Sequence, residues 1–214
     1  MRVKICGITR PEDALAAESA GADAIGLNFA KTSKRFITLE QAKTISDAVG
    51  PFVQRVGIFV DSSLEEVLET AHTLRLHAVQ LHGDEDEAFA KSIKKEFWTI
   101  KAVSFTPALS LRYFESFPAD AFLLDGLKPG SGERFDWSQA AFLKNLPHLI
   151  LAGGLNVHNV TAAIEALQPY AVDLSSGVEA RPGIKDPQKI QDFVRVAKFT
   201  RLSTVIHSPV DNCG

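Results

Sequence analysis

The sequence predicts an α/β fold in which eight parallel strands close into a barrel surrounded by helices, a (β/α)8 or TIM barrel. Three observations indicate it. Short runs rich in Val, Ile, Leu and Phe recur along the 214 residues, each followed by a turn signal and a segment with helical apolar spacing. Five of the seven steps between the ends of these runs are 21 or 22 residues. The runs are continuous, as in parallel strands covered on both faces.

Most of the predicted strands end at a polar residue or a glycine. They cover residues 3–6, 24–28, 55–60, 78–82, 99–104, 121–125, 149–153 and 172–175. Helix start signals follow several of them, at Pro11, Thr38, Ser62 and Asn156. Strand and helix therefore alternate throughout the chain. An open doubly wound sheet remains the alternative fold.

Two steps between strands are longer than the others. The extra residues lie in 29–37, which contains Lys31, Lys34 and Arg35, and in 126–136, which is rich in glycine. Insertions after barrel strands form loops on the C-terminal face, where barrel enzymes place their active sites. We expect one domain over residues 1–202, followed by a tail over 203–214.

Charge and composition limit the classes of partner. The formal net charge is −3 and the basic residues are scattered, so we expect neither a nucleic-acid surface nor a membrane surface. No apolar run approaches about 18 residues and no signal peptide is evident, which predicts a cytoplasmic protein with a small-molecule partner, monomeric or homodimeric. A reducing compartment disfavours a disulfide between Cys6 and Cys213.

Glycine and serine cluster where the seventh and eighth strands end. Gly153 and Gly154 follow one strand, and Ser175, Ser176 and Gly177 follow the other. Backbone N–H groups of glycines and hydroxyl groups of serines bind anions, and the loops after these two strands commonly hold phosphate in barrels. The sequence therefore predicts a phosphate site. The alternative is that the glycines only form tight turns.

A thiol and a carboxyl group stand at the ends of two other strands. Cys6 ends the first strand and Asp125 ends the sixth, nearly opposite in a barrel. We predict Cys6 as a base, ionised more easily near a helix N-terminus, and Asp125 as an acid whose pKa burial raises. The alternatives are a small buried side chain for Cys6 and a helix cap for Asp125.

Further polar residues are candidate substrate contacts. Arg35 offers a bidentate fork to a carboxylate or phosphate, unless it is only a solvated charge. Gln80 and His82 end the fourth strand and face the barrel mouth or its interior, where His82 is equally well explained as a structural histidine. No metal-ligand spacing or nucleotide-binding motif is present, so we expect a reaction without metal or cofactor.

Several segments together resemble the phosphoribosylanthranilate isomerases of tryptophan biosynthesis. They are Lys4-Ile5-Cys6-Gly7-Ile8-Thr9, Gly57-Ile58-Phe59-Val60, Val79-Gln80-Leu81-His82-Gly83, Leu123-Leu124-Asp125, Leu151-Ala152-Gly153-Gly154-Leu155 and Asp173-Leu174-Ser175-Ser176-Gly177-Val178-Glu179. The resemblance runs from the first strand to the loop after the eighth. It implies an intramolecular oxidoreductase of the aldose-ketose type that carries out an Amadori rearrangement.

The resemblance also implies roles for the candidate residues. Asp125 would protonate the furanose oxygen, and Cys6 as thiolate would remove the proton from C2. Arg35 would hold the anthranilate carboxylate, and Asp173 would orient substrate groups. The phosphate would lie against Gly153, Gly154, Ser175, Ser176 and Gly177.

Two other functions remain open on the sequence. The histidine-pathway isomerase performs the same rearrangement on a bis-phosphorylated substrate, but carboxylates usually fill both catalytic positions there, whereas this chain has Cys6. A barrel that binds phosphorylated ligands without catalysis is the second alternative, since a fold alone does not prove activity.

Overall fold

Eight parallel strands close into a barrel in sequence order, because the last strand pairs with the first. The computed structural model describes residues 1–126, 136–144 and 146–200. The strands are β1 (Arg2–Ile5), β2 (Ala24–Asn28), β3 (Gln54–Phe59), β4 (Ala78–Leu81), β5 (Trp98–Ser104), β6 (Ala121–Asp125), β7 (Leu149–Leu151) and β8 (Ala171–Leu174). The predicted barrel is confirmed, and the open sheet is wrong. Residues 127–135 of the second predicted insertion and the predicted tail, with Cys213, lie outside the described residues.

Helices cover the outside of the barrel. They are α1 (Pro11–Ser19), α2 (Leu39–Ala48), α3 (Leu64–Leu74), α4 (Glu87–Lys94), α5 (Leu111–Ser116), α6 (Val160–Leu167) and α7 (Pro187–Phe199). Two predicted start signals are confirmed. Pro11 is the first residue of α1, and Thr38 caps α2 because its hydroxyl accepts from the N–H of Gln41.

Two predicted helix starts are displaced. Ser63 rather than Ser62 caps α3, accepting from the N–H of Glu66. Helix α6 begins four residues after Asn156, because the N–H of Asn156 donates to the side chain of Asn159 and closes a turn first. Both corrections move a boundary without changing which strands the helices connect.

The sequence pattern did not predict several short elements of secondary structure. A 3₁₀ helix (Trp137–Leu143) precedes β7 where we expected an α-helix, and a second one (Ser176–Val178) follows β8. An antiparallel pair, β9 (Glu179–Arg181) and β10 (Ile184–Lys185), then crosses the C-terminal face. Strands of two or three residues are too short to show an alternating pattern.

Several predicted strands extend past their observed ends. Cys6, His82 and Ser175 each follow the last residue of a strand, and β7 ends two residues before Gly153. Gly153 has a φ of +81° and Gly154 one of +65°, a left-handed conformation that ends the strand. The candidate residues therefore lie on the rim of the barrel.

The two faces of the strands form separate apolar clusters. Inside the barrel more than half of the buried apolar side chains are alanines, namely Ala24, Ala78, Ala102, Ala152 and Ala171. Between the strands and the helices lies a larger cluster that includes Ile25, Phe59, Leu81, Leu151 and Phe193. No helix in the described part of the chain is both long and apolar enough to cross a bilayer.

Candidate active site

A cavity of about 730 Å³ opens at the C-terminal ends of the strands. This volume is within the range of small-molecule sites. Gly177 does not line the cavity. A Cβ at Gly177 would collide with the carbonyl oxygen of Leu155, so a glycine here allows the loops after β7 and β8 to approach each other closely. The other predicted site residues line the cavity, namely Cys6, Arg35, Gln80, His82, Asp125, Gly153, Gly154, Asp173, Ser175 and Ser176.

Cys6 lies on the cavity wall directly after β1. Its N–H donates to the carbonyl oxygen of Leu174 at 2.8 Å, and Gly26 on β2 leaves room for its sulfur. Burial raises the pKa of the Cys6 thiol above its ordinary value, and the nearby ammonium groups of Lys4 and Lys185 oppose this effect. The expectation of an easily ionised thiol is therefore wrong, since burial dominates.

Asp125 faces the same cavity from the end of β6. The N–H of Gly126 donates to its Oδ1 at 2.7 Å, and Nε2 of His82 lies 3.8 Å from its Oδ2. Burial raises the pKa of Asp125 to about 6, and the negative charge of Asp173 acts in the same direction. The carboxyl group is therefore half protonated near pH 6, and can release a proton to a bound molecule close to neutral pH.

Gln80 fixes the orientation of the His82 ring. Nε2 of Gln80 donates to Nδ1 of His82 at 3.0 Å, which assigns the ring proton to the nitrogen that faces Asp125. Burial lowers the pKa of His82 and the charge of Lys4 lowers it further, so the ring is neutral at pH 7. Oε1 of Gln80 is buried and has no hydrogen-bond partner among the described residues.

A buried ion pair lies below the cavity. Nζ of Lys4 on β1 donates to Oδ1 of Asp173 on β8 at 2.9 Å, and the two residues are direct partners in the sheet. Burial alone would lower the pKa of Lys4, but Asp173 and Cys6 together raise it above its ordinary value. Lys4 therefore keeps its positive charge inside the barrel.

Arg35 is held at the edge of the cavity by an acidic partner. Its Nε and Nη2 donate to the two carboxylate oxygens of Glu179 at 2.7 and 2.9 Å. Nζ of Lys185 donates to the same carboxylate and to Ser175, both at 3.1 Å. Burial works to raise the pKa of Glu179, but Arg35 and Lys185 outweigh it and keep the group ionised.

The predicted phosphate cradle combines two adjacent loops. The left-handed backbone of Gly153 and Gly154 turns the chain after β7, while Ser175 and Ser176 follow β8. Lys185 donates to Oγ of Ser175, which leaves the hydroxyl proton of Ser175 free to reach another acceptor. Hydroxyl and backbone donors therefore meet at one side of the cavity.

Sequence reasoning did not single out three charged residues of this site. The sequence contained a signal for Lys4. It stands two residues before Cys6 in the predicted strand, and such a spacing places two side chains on the same face. Glu179 and Lys185 had none, since they reach the site through the short β9–β10 pair. Within the described ranges, no three His, Cys, Asp or Glu side chains are arranged to hold a metal ion.

Fold and site together define a (β/α)8 barrel with a thiol, a carboxyl group and two glycine- and serine-containing loops around one cavity at the C-terminal ends of its strands. A family model described as N-(5'phosphoribosyl)anthranilate (PRA) isomerase matches residues 3–196. The N-(5'-phosphoribosyl)anthranilate isomerase of Pelobacter propionicus is 45% identical over 205 residues, which are 94% of this chain and 97% of that protein. The chain belongs to this family of isomerases of tryptophan biosynthesis.

Solved structures agree with the family match. The phosphoribosyl anthranilate isomerase of Thermus thermophilus superimposes with a TM-score of 0.89 at 44% identity, over 94% of this chain and all of that one. A second structure is an isomerase in complex with reduced 1-(o-carboxyphenylamino)-1-deoxyribulose 5-phosphate. It has a TM-score of 0.85 at 43% identity, over 92% of this chain and 98% of that one.

Proposed function

We propose that this chain converts N-(5-phosphoribosyl)anthranilate into 1-(2-carboxyphenylamino)-1-deoxyribulose 5-phosphate, with Asp125 as general acid and Cys6 as general base. The observation that carries the assignment is their placement around one cavity. In the barrel order, β7 and β8 with their glycine and serine loops lie between β6, which bears Asp125, and β1, which precedes Cys6. A phosphate held there places the attached sugar between acid and base.

The first step opens the ring. A proton passes from Asp125 to the furanose oxygen while the bond from C1 to that oxygen breaks, and the amine nitrogen supplies the electron pair that forms a Schiff base. A carboxyl group with a pKa of about 6 suits this task, because a fraction of it is protonated close to neutral pH and it still releases the proton readily.

The second step removes the proton from C2. The Schiff base withdraws electrons from C2, so the Cys6 thiolate takes this proton and the electron pair moves into an enolamine. Tautomerisation of the enolamine to the ketone gives the product. The same sulfur therefore starts the step as a thiolate and ends it as a thiol.

Substrate binding uses both ends of the cavity. We propose that Arg35 holds the anthranilate carboxylate, because its guanidinium is fixed at the cavity edge and Glu179 leaves Nη1 unused in their pair. The loop residues Gly153, Gly154, Ser175 and Ser176 bind the phosphate, and Gly177 shapes their loop. Gln80, His82 and Asp173 contact the sugar between them.

Turnover of freshly prepared N-(5-phosphoribosyl)anthranilate, followed by loss of its anthranilate-type fluorescence, tests the function. We expect turnover with the wild-type chain and none above background with a Cys6→Ser/Asp125→Asn double variant. Turnover restricted to the bis-phosphorylated histidine-pathway substrate would replace the assignment with that isomerase. Binding without turnover would leave a ligand-binding barrel.

We further propose a cytoplasmic enzyme that is a monomer or a homodimer. The free thiol of Cys6 supports a reducing compartment. Cell fractionation tests the location, and sedimentation equilibrium distinguishes the two assembly states.

A further inference from the structure

The positive charge of Lys4 is unusual because it lies inside the barrel, just below the proposed base. Lys4 lies in β1, two residues before Cys6, and its charge acts on the sulfur of Cys6. Only 4% of Lys4 and 6% of Asp173 is exposed, and 2.9 Å separates their charged atoms. An ammonium fixed this way by a neighbouring strand has little freedom to move away from the sulfur.

Charges of both signs surround Cys6 on several elements. Lys4 on β1, Lys185 on β10 and Arg35 in the loop after β2 supply positive charge, and Asp173 on β8 supplies negative charge. Glu179 on β9 pairs with Lys185 and Arg35 together. Asp125 and His82, on β6 and just after β4, face Lys4 across the cavity.

The charged groups around Cys6 do not balance when Asp125 is protonated. When Asp125 holds the proton that a general acid needs, two carboxylates, Asp173 and Glu179, face three buried or half-buried cations. A thiolate at Cys6 supplies the remaining negative charge. Burial of an unbalanced charge is unfavourable, so the nearby cations offset part of the cost of ionising Cys6.

We propose that Lys4, fixed by Asp173, is the positioning residue that serves as counter-ion of the Cys6 thiolate during proton abstraction. The inference rests on the proposed role of Cys6 as base. The active form, with thiolate and carboxylic acid, has the same number of protons as the resting form, with thiol and carboxylate. Lys4 shifts the balance toward the active form because its positive charge favours the ionised form of Cys6.

The rate of Cys6 alkylation by iodoacetamide, measured against pH, tests the proposal directly, because only the thiolate reacts. The assay uses the full chain carrying Cys213→Ser, which leaves Cys6 as its single thiol. We expect Lys4→Met to slow alkylation at pH 7.5 by at least about tenfold. We also expect kcat to fall by roughly 10- to 100-fold, with KM changed less than about threefold.

A matched control variant and a reference variant distinguish this role of Lys4 from a merely structural one. Lys101→Met removes another buried lysine, whose ion pair with Glu85 is also 2.9 Å long, and should leave alkylation unchanged. Asp173→Asn removes both the carboxylate that opposes ionisation of Cys6 and the partner that fixes Lys4, so it serves as the reference for a double variant with Lys4→Met. Equal alkylation profiles for wild type and Lys4→Met would overturn the proposal.

A buried ion pair tolerates loss of one partner poorly, so Lys4→Met can fail to fold. The Lys4→Met/Asp173→Asn variant removes both charges and keeps the side-chain volumes, and its alkylation should still be slower than that of Asp173→Asn. Failure of the proposed function is recognised separately. If Cys6→Ser turns over normally, Cys6 is not the base, whatever the alkylation rates show.

Discussion

The proposed acid, Asp125, and the proposed base, Cys6, have different surroundings in the cavity. Asp125 accepts a hydrogen bond from a backbone N–H and lies 3.8 Å from a neutral imidazole, and burial is the main cause that raises its pKa, with a smaller contribution from Asp173. Cys6 lies instead among Lys4, Asp173 and Lys185. Burial favours the uncharged form of either group. Burial therefore favours the protonated form that an acid needs. A base in the same surroundings needs fixed positive charge nearby to be ionised.

The largest expected effects come from removing either half of the pair. Cys6→Ser and Asp125→Asn should each lower kcat by roughly 10²- to 10⁴-fold, with KM nearly unchanged, because each removes one proton transfer. Stopped-flow fluorescence with the phosphoribosylanthranilate substrate measures both constants.

The double variant sharpens this test. If both groups act on one reaction path, Cys6→Ser/Asp125→Asn should be little slower than the slower single variant. Activity within about threefold of wild type in either single variant would remove that residue from the mechanism.

The next effect is on stability. Asp125 has a pKa of about 6 in the folded protein and about 3.9 in an unfolded chain, so the native state retains a proton that the unfolded state has lost between these values. The free energy of unfolding therefore falls as pH rises from about 4 to 6, by up to about 3 kcal/mol, and stays lower above that range.

Asp125→Asn removes this unfavourable ionisation. Urea unfolding should show the variant up to about 3 kcal/mol more stable than wild type at pH 8 and equal to it below about pH 4. Asp84→Asn changes an exposed carboxylate on the same face and should alter stability by less than about 0.5 kcal/mol. A difference that does not depend on pH would contradict the assigned cause.

The pH dependence of kcat/KM tests the order of protonation. Between about pH 6 and the raised pKa of Cys6, the resting and active forms differ only in where one proton lies, so activity should be level. Below about pH 6, Asp125 is protonated in the resting enzyme and activity should fall about tenfold per pH unit as thiolate is lost.

A profile from about pH 4.5 to 9.5 at constant ionic strength measures this break. Asp125→Asn should lose it, since its residual activity then follows the thiol alone. A wild-type profile without a break near pH 6 would show that Asp125 does not titrate as described.

The smallest expected effect is on substrate binding. Arg35→Ala removes the guanidinium proposed to hold the anthranilate carboxylate, and should raise KM by about three- to tenfold while kcat changes less. Lys31→Ala, an exposed residue of the same loop that does not line the cavity, is the matched control and should leave KM unchanged. Equal KM values for the two variants would contradict the assignment.

Sequence pattern predicted the eight strands because both faces of each strand are buried, which leaves continuous apolar runs such as Phe122 to Leu124. The sequence pattern predicted the ends of strands and helices less accurately. Cys6 and Ser175 each directly follow an apolar residue in the sequence, but strands β1 and β8 end one residue earlier, at Ile5 and Leu174. The start of α6 moved because a turn between Asn156 and Asn159 is a local hydrogen-bond choice that apolar spacing does not encode.

The site residues were predictable where position in a strand decided them. The ends of strands gave Cys6, Asp125 and His82. The buried charges Glu179 and Lys185 were not predictable, since a charged residue in a short hairpin looks like a surface residue until its ion partners are known. The raised pKa of Cys6 likewise depends on burial rather than on its place before a helix.

The absence of a Cβ at Gly177 lets the loop after β8 approach the carbonyl oxygen of Leu155, which brings the two loops of the proposed anion cradle together. A preorganised cradle loses little conformational entropy on binding. Attraction for the phosphate can then hold the sugar in its reactive orientation, which makes a remote, unreacting group part of the rate acceleration.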